Sequence, residues 1–258
     1  MKNITFIAVL LCSSVCVTAQ DAKPQSRFSY QTTMTLFSTV VDSRVEDLFY
    51  NGSESVFVTY AQSLVANTDT TVMSGSGERM VIDPVDVGDG KDFVIYENHD
   101  NGKMVLRTML SNGKVCIVND AIPVLKWKLE QGKKRVGPYE CQKATTTFRC
   151  ATYTVWFTTA IPISIGPGKL SGLPGLIVEA TNERANVTYK LLTADYPTSK
   201  RTYSIAPPRT DDPVYSYKTF KKMEIVEADK LSKFIAGTAQ DPQNPPITTL
   251  PAECLDEK

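Results

Sequence analysis

From Phe28 onward the chain repeatedly alternates apolar and polar residues with a period of two. Phe28, Tyr30, Met34 and Leu36 keep one parity, as expected of a strand that buries one face. Segments near 123–130, 138–148, 152–159, 176–181 and 186–194 read as further strands. The first carries Trp127, and Thr152 to Phe157 alternates Thr and Tyr before reaching Trp156. Their Val, Ile, Phe, Tyr and Thr content suits a pleated, half-buried surface. Three Asn-Gly dipeptides, Asn51-Gly52, Asn101-Gly102 and Asn112-Gly113, fall between such segments. Asn-Gly favours the type I′ hairpin turn, so residues 92–119 read as a three-strand meander. A helical pattern is confined to Glu227–Ala236, with Asp229 as cap, Leu231, Phe234 and Ile235 on one face, and Gly237 as stop. The elements predict a mostly β fold: an antiparallel meander forming a curved sheet or half-barrel, with a short C-terminal helix.

The termini read differently. Met1-Lys2-Asn3, an apolar run from Ile4 to Leu11 and Val17-Thr18-Ala19 predict a cleavable signal peptide over residues 1–19. The run is shorter than the roughly 20 apolar residues of a spanning helix. Export places the mature protein in the periplasm or outside the cell. Residues 20–26 are expected to be disordered, 27–239 to form a single β-rich domain, and the Pro-rich tail 240–258 to lie across the surface or stay loose.

Charge excludes some partners. The 28 Lys and Arg balance 28 Asp and Glu, and cleavage removes only Lys2. Near-neutrality gives nucleic acid or an anionic membrane surface no electrostatic hold. The mature chain has no second long apolar run and is not expected to insert in a membrane.

Cys116, Cys141, Cys150 and Cys254 survive cleavage and are the disulfide candidates, up to two bonds in an oxidising compartment. If 139–148 is a continuous strand, Cys141 and Cys150 stand roughly 25–30 Å apart. A disulfide needs about 4.4–6.8 Å between Cα atoms. Cys141 should therefore look to Cys116 or Cys254. A zinc site would need a close Cys pair or more histidines than the single His99.

Between Thr159 and Gly175, Pro162, Pro167 and Pro174 interleave with Gly166, Gly168 and Gly172 and with apolar residues. Leu173-Pro174-Gly175-Leu176 is a type II turn signature, with φ > 0 expected at Gly175. An ordered loop pinned to the core is expected.

This loop carries a resemblance. Gly172-Leu-Pro-Gly-Leu-Ile177 resembles the name-giving motif of the GLPGLI family of exported proteins from Gram-negative bacteria. Leu48–Phe57, Tyr139–Ala144, Tyr153–Thr158, Ile161-Pro-Ile163 and Gly166-Pro167 extend the resemblance. Cys150-Ala151 replaces an expected Gly-Arg, and Val178 an expected Leu. The resemblance implies an envelope location and an outer-membrane TonB-dependent receptor as partner. It supplies no catalytic residue.

Chemical motifs are sparse. Gly168-Lys169 fails the phosphate-loop pattern at Leu170 and at Ile163. His99 reads as an exposed strand end and a poor catalytic base. Asp83, Asp86, Asp89 and Asp92 recur every third residue but do not follow the EF-hand spacing. No pair of carboxylates stands out for glycoside hydrolysis. Trp127, Tyr153 and Trp156 are candidates to line a ligand-binding concavity, although strand aromatics are more often core. Lys169, Leu173 and Pro174 are candidate contacts in the loop. No metal or cofactor is expected. The sequence reads as a non-enzymatic periplasmic accessory or ligand-binding protein of an outer-membrane transport or assembly system. The alternatives are an envelope hydrolase using carboxylates and a secreted adhesive module.

Overall fold

The computed structural model describes residues 23–36, 39–64, 71–73, 79–81 and 89–238. The first strands are β1 (Ser26–Leu36), β2 (Thr39–Tyr50) and β3 (Glu54–Thr59), followed by the single turn α1 (Ala61–Leu64). A separate small pair, β4 (Thr71–Met73) and β5 (Arg79–Val81), comes next. The meander read over 92–119 is β6 (Phe93–Asn98), β7 (Lys103–Met109) and β8 (Val115–Ala121). Then come β9 (Lys128–Val136), β10 (Tyr139–Phe148), β11 (Ala151–Thr158), β12 (Leu176–Asn182) and β13 (Val187–Asp195). The short β14 (Val214–Ser216) leads into helix α2 (Tyr217–Thr238). The fold is mostly β, as the alternation predicts.

Twelve strands form one open sheet in the order β14-β8-β7-β6-β3-β2-β1-β13-β12-β11-β10-β9. All pairings are antiparallel except β14 with β8. Ten strand steps separate β8 from β9, about 48 Å if the sheet were flat. The chain joins them with only residues 122–127, which reach at most about 25 Å. The sheet must therefore curl. It does: Phe57 on β3 and Cys141 on β10, six positions apart in the sheet, belong to one buried cluster with Phe28, Tyr30, Leu48, Leu176 and Val178. This face is the inside of the curl. Burying each such side chain contributes about 1.5–3 kcal/mol.

The Pro/Gly loop enters this interior. Ile161, Ile163 and Ile165 join the inner cluster, and Leu170 and Leu173 pack with Val155, Phe157 and Ile177 in a second one. Tyr30 donates to the Ile177 carbonyl at 2.8 Å. Tyr217 of α2 closes the other end, against Met104, Leu106, Cys116 and Val118.

Local details depart from expectation. Gly52, Gly102 and Gly113 have positive φ, but the preceding asparagines do not, so these turns are not type I′. Each asparagine instead accepts a backbone N–H through its side chain, as Asn101 does from Lys103 at 3.0 Å. The turn with two left-handed residues is Arg149-Cys150, φ 49° and 62°, between the paired Phe148 and Ala151. Gly175 does not have positive φ. A Cβ there would lie 2.0 Å from the Thr158 carbonyl oxygen, and its N–H turns back to Leu173 O at 2.8 Å. The residue answers a close backbone approach, and the expected type II turn is not formed.

Helix α2 starts ten residues before the expected one. Ser216 Oγ caps it, accepting from Thr219 N at 3.2 Å, and Asp229 lies mid-helix. The strand expected near 123–130 begins at Lys128, because Pro123 belongs to the crossing link. Gln25 and Ser26, within the segment read as disordered, bond to Tyr203 and Pro197. Cys116 and Cys141 are buried free thiols, so the two-disulfide framework is not formed and Cys141 pairs with neither Cys116 nor Cys254. Cys254, the tail and the signal segment lie outside the described residues.

Candidate functional site

Strand register lines up Tyr50, Ser55, Glu97, Met104 and Asp120 in one transverse row across β2, β3, β6, β7 and β8. Glu97 is 5 % exposed, and its Oε1 is one of two buried side-chain atoms without a hydrogen-bond partner among the described residues. The other is Arg27 Nε. Burial pushes the Glu97 carboxyl up to about 7, opposed by the Ser55 hydroxyl and the field of Lys169. The remaining buried charges are better satisfied. Glu46 accepts from Thr32, Thr59 and Arg44, and Asp47 from Ser29, Tyr60 and Arg27. Arg107 donates to Asp89, Asp212 and two carbonyls.

His99 is half-buried rather than an exposed strand end. Its ring lies edge-on to Tyr50, and burial lowers its pKa. Nε2 stands 3.0 Å from Ser55 Oγ and 3.8 Å from Glu97 Oε2. In a serine relay the hydroxyl and the acid address opposite ring nitrogens. Here both face the same one, so the trio does not form a relay. Asp120, in the same row, is held on both oxygens by Arg149 at 2.8 and 3.3 Å. Asp89 and Asp92 are tied to Arg107 and Tyr203, Asp83 and Asp86 lie outside the described residues, and no group of three metal-ligating side chains occurs among the described ones.

The sequence candidates are dispersed. Tyr153 and Leu173 are buried in the second cluster. Trp127 packs against that cluster and donates to the Ser171 carbonyl at 2.8 Å, pinning the loop. Trp156 is half-buried with the Lys134 ammonium 4.5 Å from its ring, and Lys134 also pairs with Glu179. Lys169 Nζ lies 5.4 Å from the Tyr217 ring, and Pro174 is exposed.

An open pocket that no sequence motif marked lies at the β9 edge. Its volume is about 410 Å³, lined by Lys133, Lys134, Arg135, Glu140, Gln142, Phe157 and Thr159 among others. Register places Lys133, Gln142 and Phe157 in one row and Arg135 opposite Glu140. The side chains of Lys133 and Arg135 make no hydrogen bond or ion pair among the described residues. Only the run Lys133-Lys134-Arg135 could have hinted at it.

Comparison with known proteins decides the lineage. The family described as N-glycanase peptide, N-terminal domain, matches residues 58–204, more than half of the chain. The chain belongs to this family. The resemblance to the GLPGLI family is thereby corrected: the match is to the N-glycanase domain, and Gly172 and Gly175 serve a positive φ and a close backbone approach. Solved structures of PNGF-II in the P21 and C2 space groups share the fold at TM-score 0.50 and 13 % identity. The match covers 80 % of this chain and 34 % or 33 % of theirs, so the chain spans about a third of their length. No curated protein matches.

Proposed function

We propose that this protein is a non-enzymatic glycan-binding accessory module, exported to the envelope and binding through the pocket at the β9 edge. The family's name ties the domain to an N-glycanase, and this chain spans a third of PNGF-II. One observation argues against the alternative of a carboxylate-pair hydrolase. On the inner row Glu97 is available, but Asp120, its neighbour two strands away, has both oxygens engaged by Arg149. A glycan hydrolase of the two-carboxylate type needs a second free acid facing the first. A pocket of about 410 Å³, floored by Phe157 and rimmed by six polar or charged side chains, has the volume of a small-ligand site. Association with an outer-membrane receptor remains part of the proposal, as the envelope context that an accessory module would serve.

The test is a glycan array probed with the purified protein, alongside an assay for glycan release from a denatured N-glycoprotein. Binding without release is expected. Glycan release that disappears in Glu97→Gln would overturn the reading in favour of an enzyme.

A further inference from the structure

We infer that the β9-edge pocket is specific for carboxylate-bearing saccharides, an inference that rests on the glycan-binding reading and names its ligand class. Lys133 and Arg135 stand two residues apart on one strand, so their side chains leave the same face about 7 Å from each other. Both border the pocket, and neither has an ionic partner among the described residues. Two unneutralised cations at that spacing suit one carboxylate: the Arg135 fork grips both oxygens and Lys133 adds a point charge.

The rest of the lining supplies the sugar contacts. Gln142 and Thr159 offer hydrogen bonds to hydroxyls, and Phe157, 2 % exposed, forms an apolar floor. Glu140, opposite Arg135 yet in no ion pair with it, is the one anion in the lining. It accepts from sugar hydroxyls and disfavours ligands with several negative charges. Lys134 also lines the pocket, but its ammonium is engaged by Trp156 and Glu179.

Lysines also guard exposed sheet edges against strand pairing, and the test separates that role. The full chain is titrated calorimetrically with sialyllactose and with lactose, at low and at moderate salt. Wild type is compared with Lys133→Gln and Arg135→Gln, with exposed Lys200→Gln as control. Sialyllactose should bind at least tenfold more tightly than lactose, weaken with salt, and lose that advantage in both pocket variants but not in the control. Equal binding of the two sugars, unaffected by Arg135→Gln, would overturn the acidic-sugar inference and leave glycan binding standing. Binding of neither sugar, together with a blank glycan array, would remove both. Pocket variants that self-associate while binding normally would assign the cations to edge protection and end the proposal.

Discussion

Arg149 grips both oxygens of Asp120 while its guanidinium lies 3.5 Å from the centroid of the Tyr217 ring. This contact joins the β10–β11 tip to β8 and α2, bridging the two ends of the curl. The ion pair is buried, at 6 % and 10 % exposure. Arg149→Ala leaves Asp120 without that partner and should cost about 3 kcal/mol. Because Arg149 holds φ at 49°, Arg149→Gly relieves a left-handed backbone and should cost about 1 kcal/mol less than the alanine. Urea denaturation of both variants, with Asp120→Ala completing a double-mutant cycle, checks the order. An alanine no worse than the glycine would contradict it.

Stability should fall as pH rises through the window set by Glu97. Its folded carboxyl titrates near 7, above the ordinary 4.5 of the unfolded chain. Between these values the folded state holds the extra proton, so each step up in pH favours unfolding. The total is about 3 kcal/mol, complete once pH exceeds 7. Glu97→Gln should flatten this part of the profile, measured by urea midpoints from pH 4 to 8. An unchanged slope in the variant would assign the effect to another group.

Gly175→Ala should destabilise by about 3 kcal/mol, since its Cβ would meet Thr158 backbone at 2.0 Å. Gly137→Ala should cost only about 1 kcal/mol, because it has a left-handed φ but nothing within 4 Å. Thermal melts that rank the two the other way would refute steric approach as the cause.

Trp127→Phe keeps the ring packing and removes the donor to Ser171, so about 1 kcal/mol should be lost. Only Trp127 and Trp156 contribute tryptophan emission. The variant's remaining signal should report Trp156 beside Lys134 alone.

The period-two alternation makes β11 and β13 legible, because their exposure alternates along the strand, whereas Met104–Arg107 of β7 and Cys116–Val118 of β8 are buried on both faces and are marked instead by the Asn-Gly turns beside them. The Pro/Gly loop was legible as ordered, since its isoleucines and leucines recur between chain-turning residues. What could not be read from the sequence is how distant strands meet. Glu97 looks like any strand acid until register sets it beside Ser55 and under the loop that carries Lys169. The β9 pocket joins residues of three strands, and only the pairing of Lys133 with Gln142 and of Gln142 with Phe157 assembles it. At Gly175 the sequence signals a turn, whereas the cause is a close approach by Thr158 that leaves no local mark. Ser216 does not stand out as a cap because the first turns of α2, Lys218, Lys221 and Lys222 among them, are too polar to show a clear apolar face.

Strand β1 sits between β2, its neighbour in sequence, and β13, more than 150 residues downstream. One side of the first strand can close as soon as a hairpin forms. The other must wait until nearly the whole sheet-forming chain has been made. During synthesis a row of peptide groups from Arg27 to Met34 therefore stands ready to accept any extended segment that arrives first. The domain's most exposed moment precedes its completion, and whatever shields that seam determines how much of the protein reaches its final form.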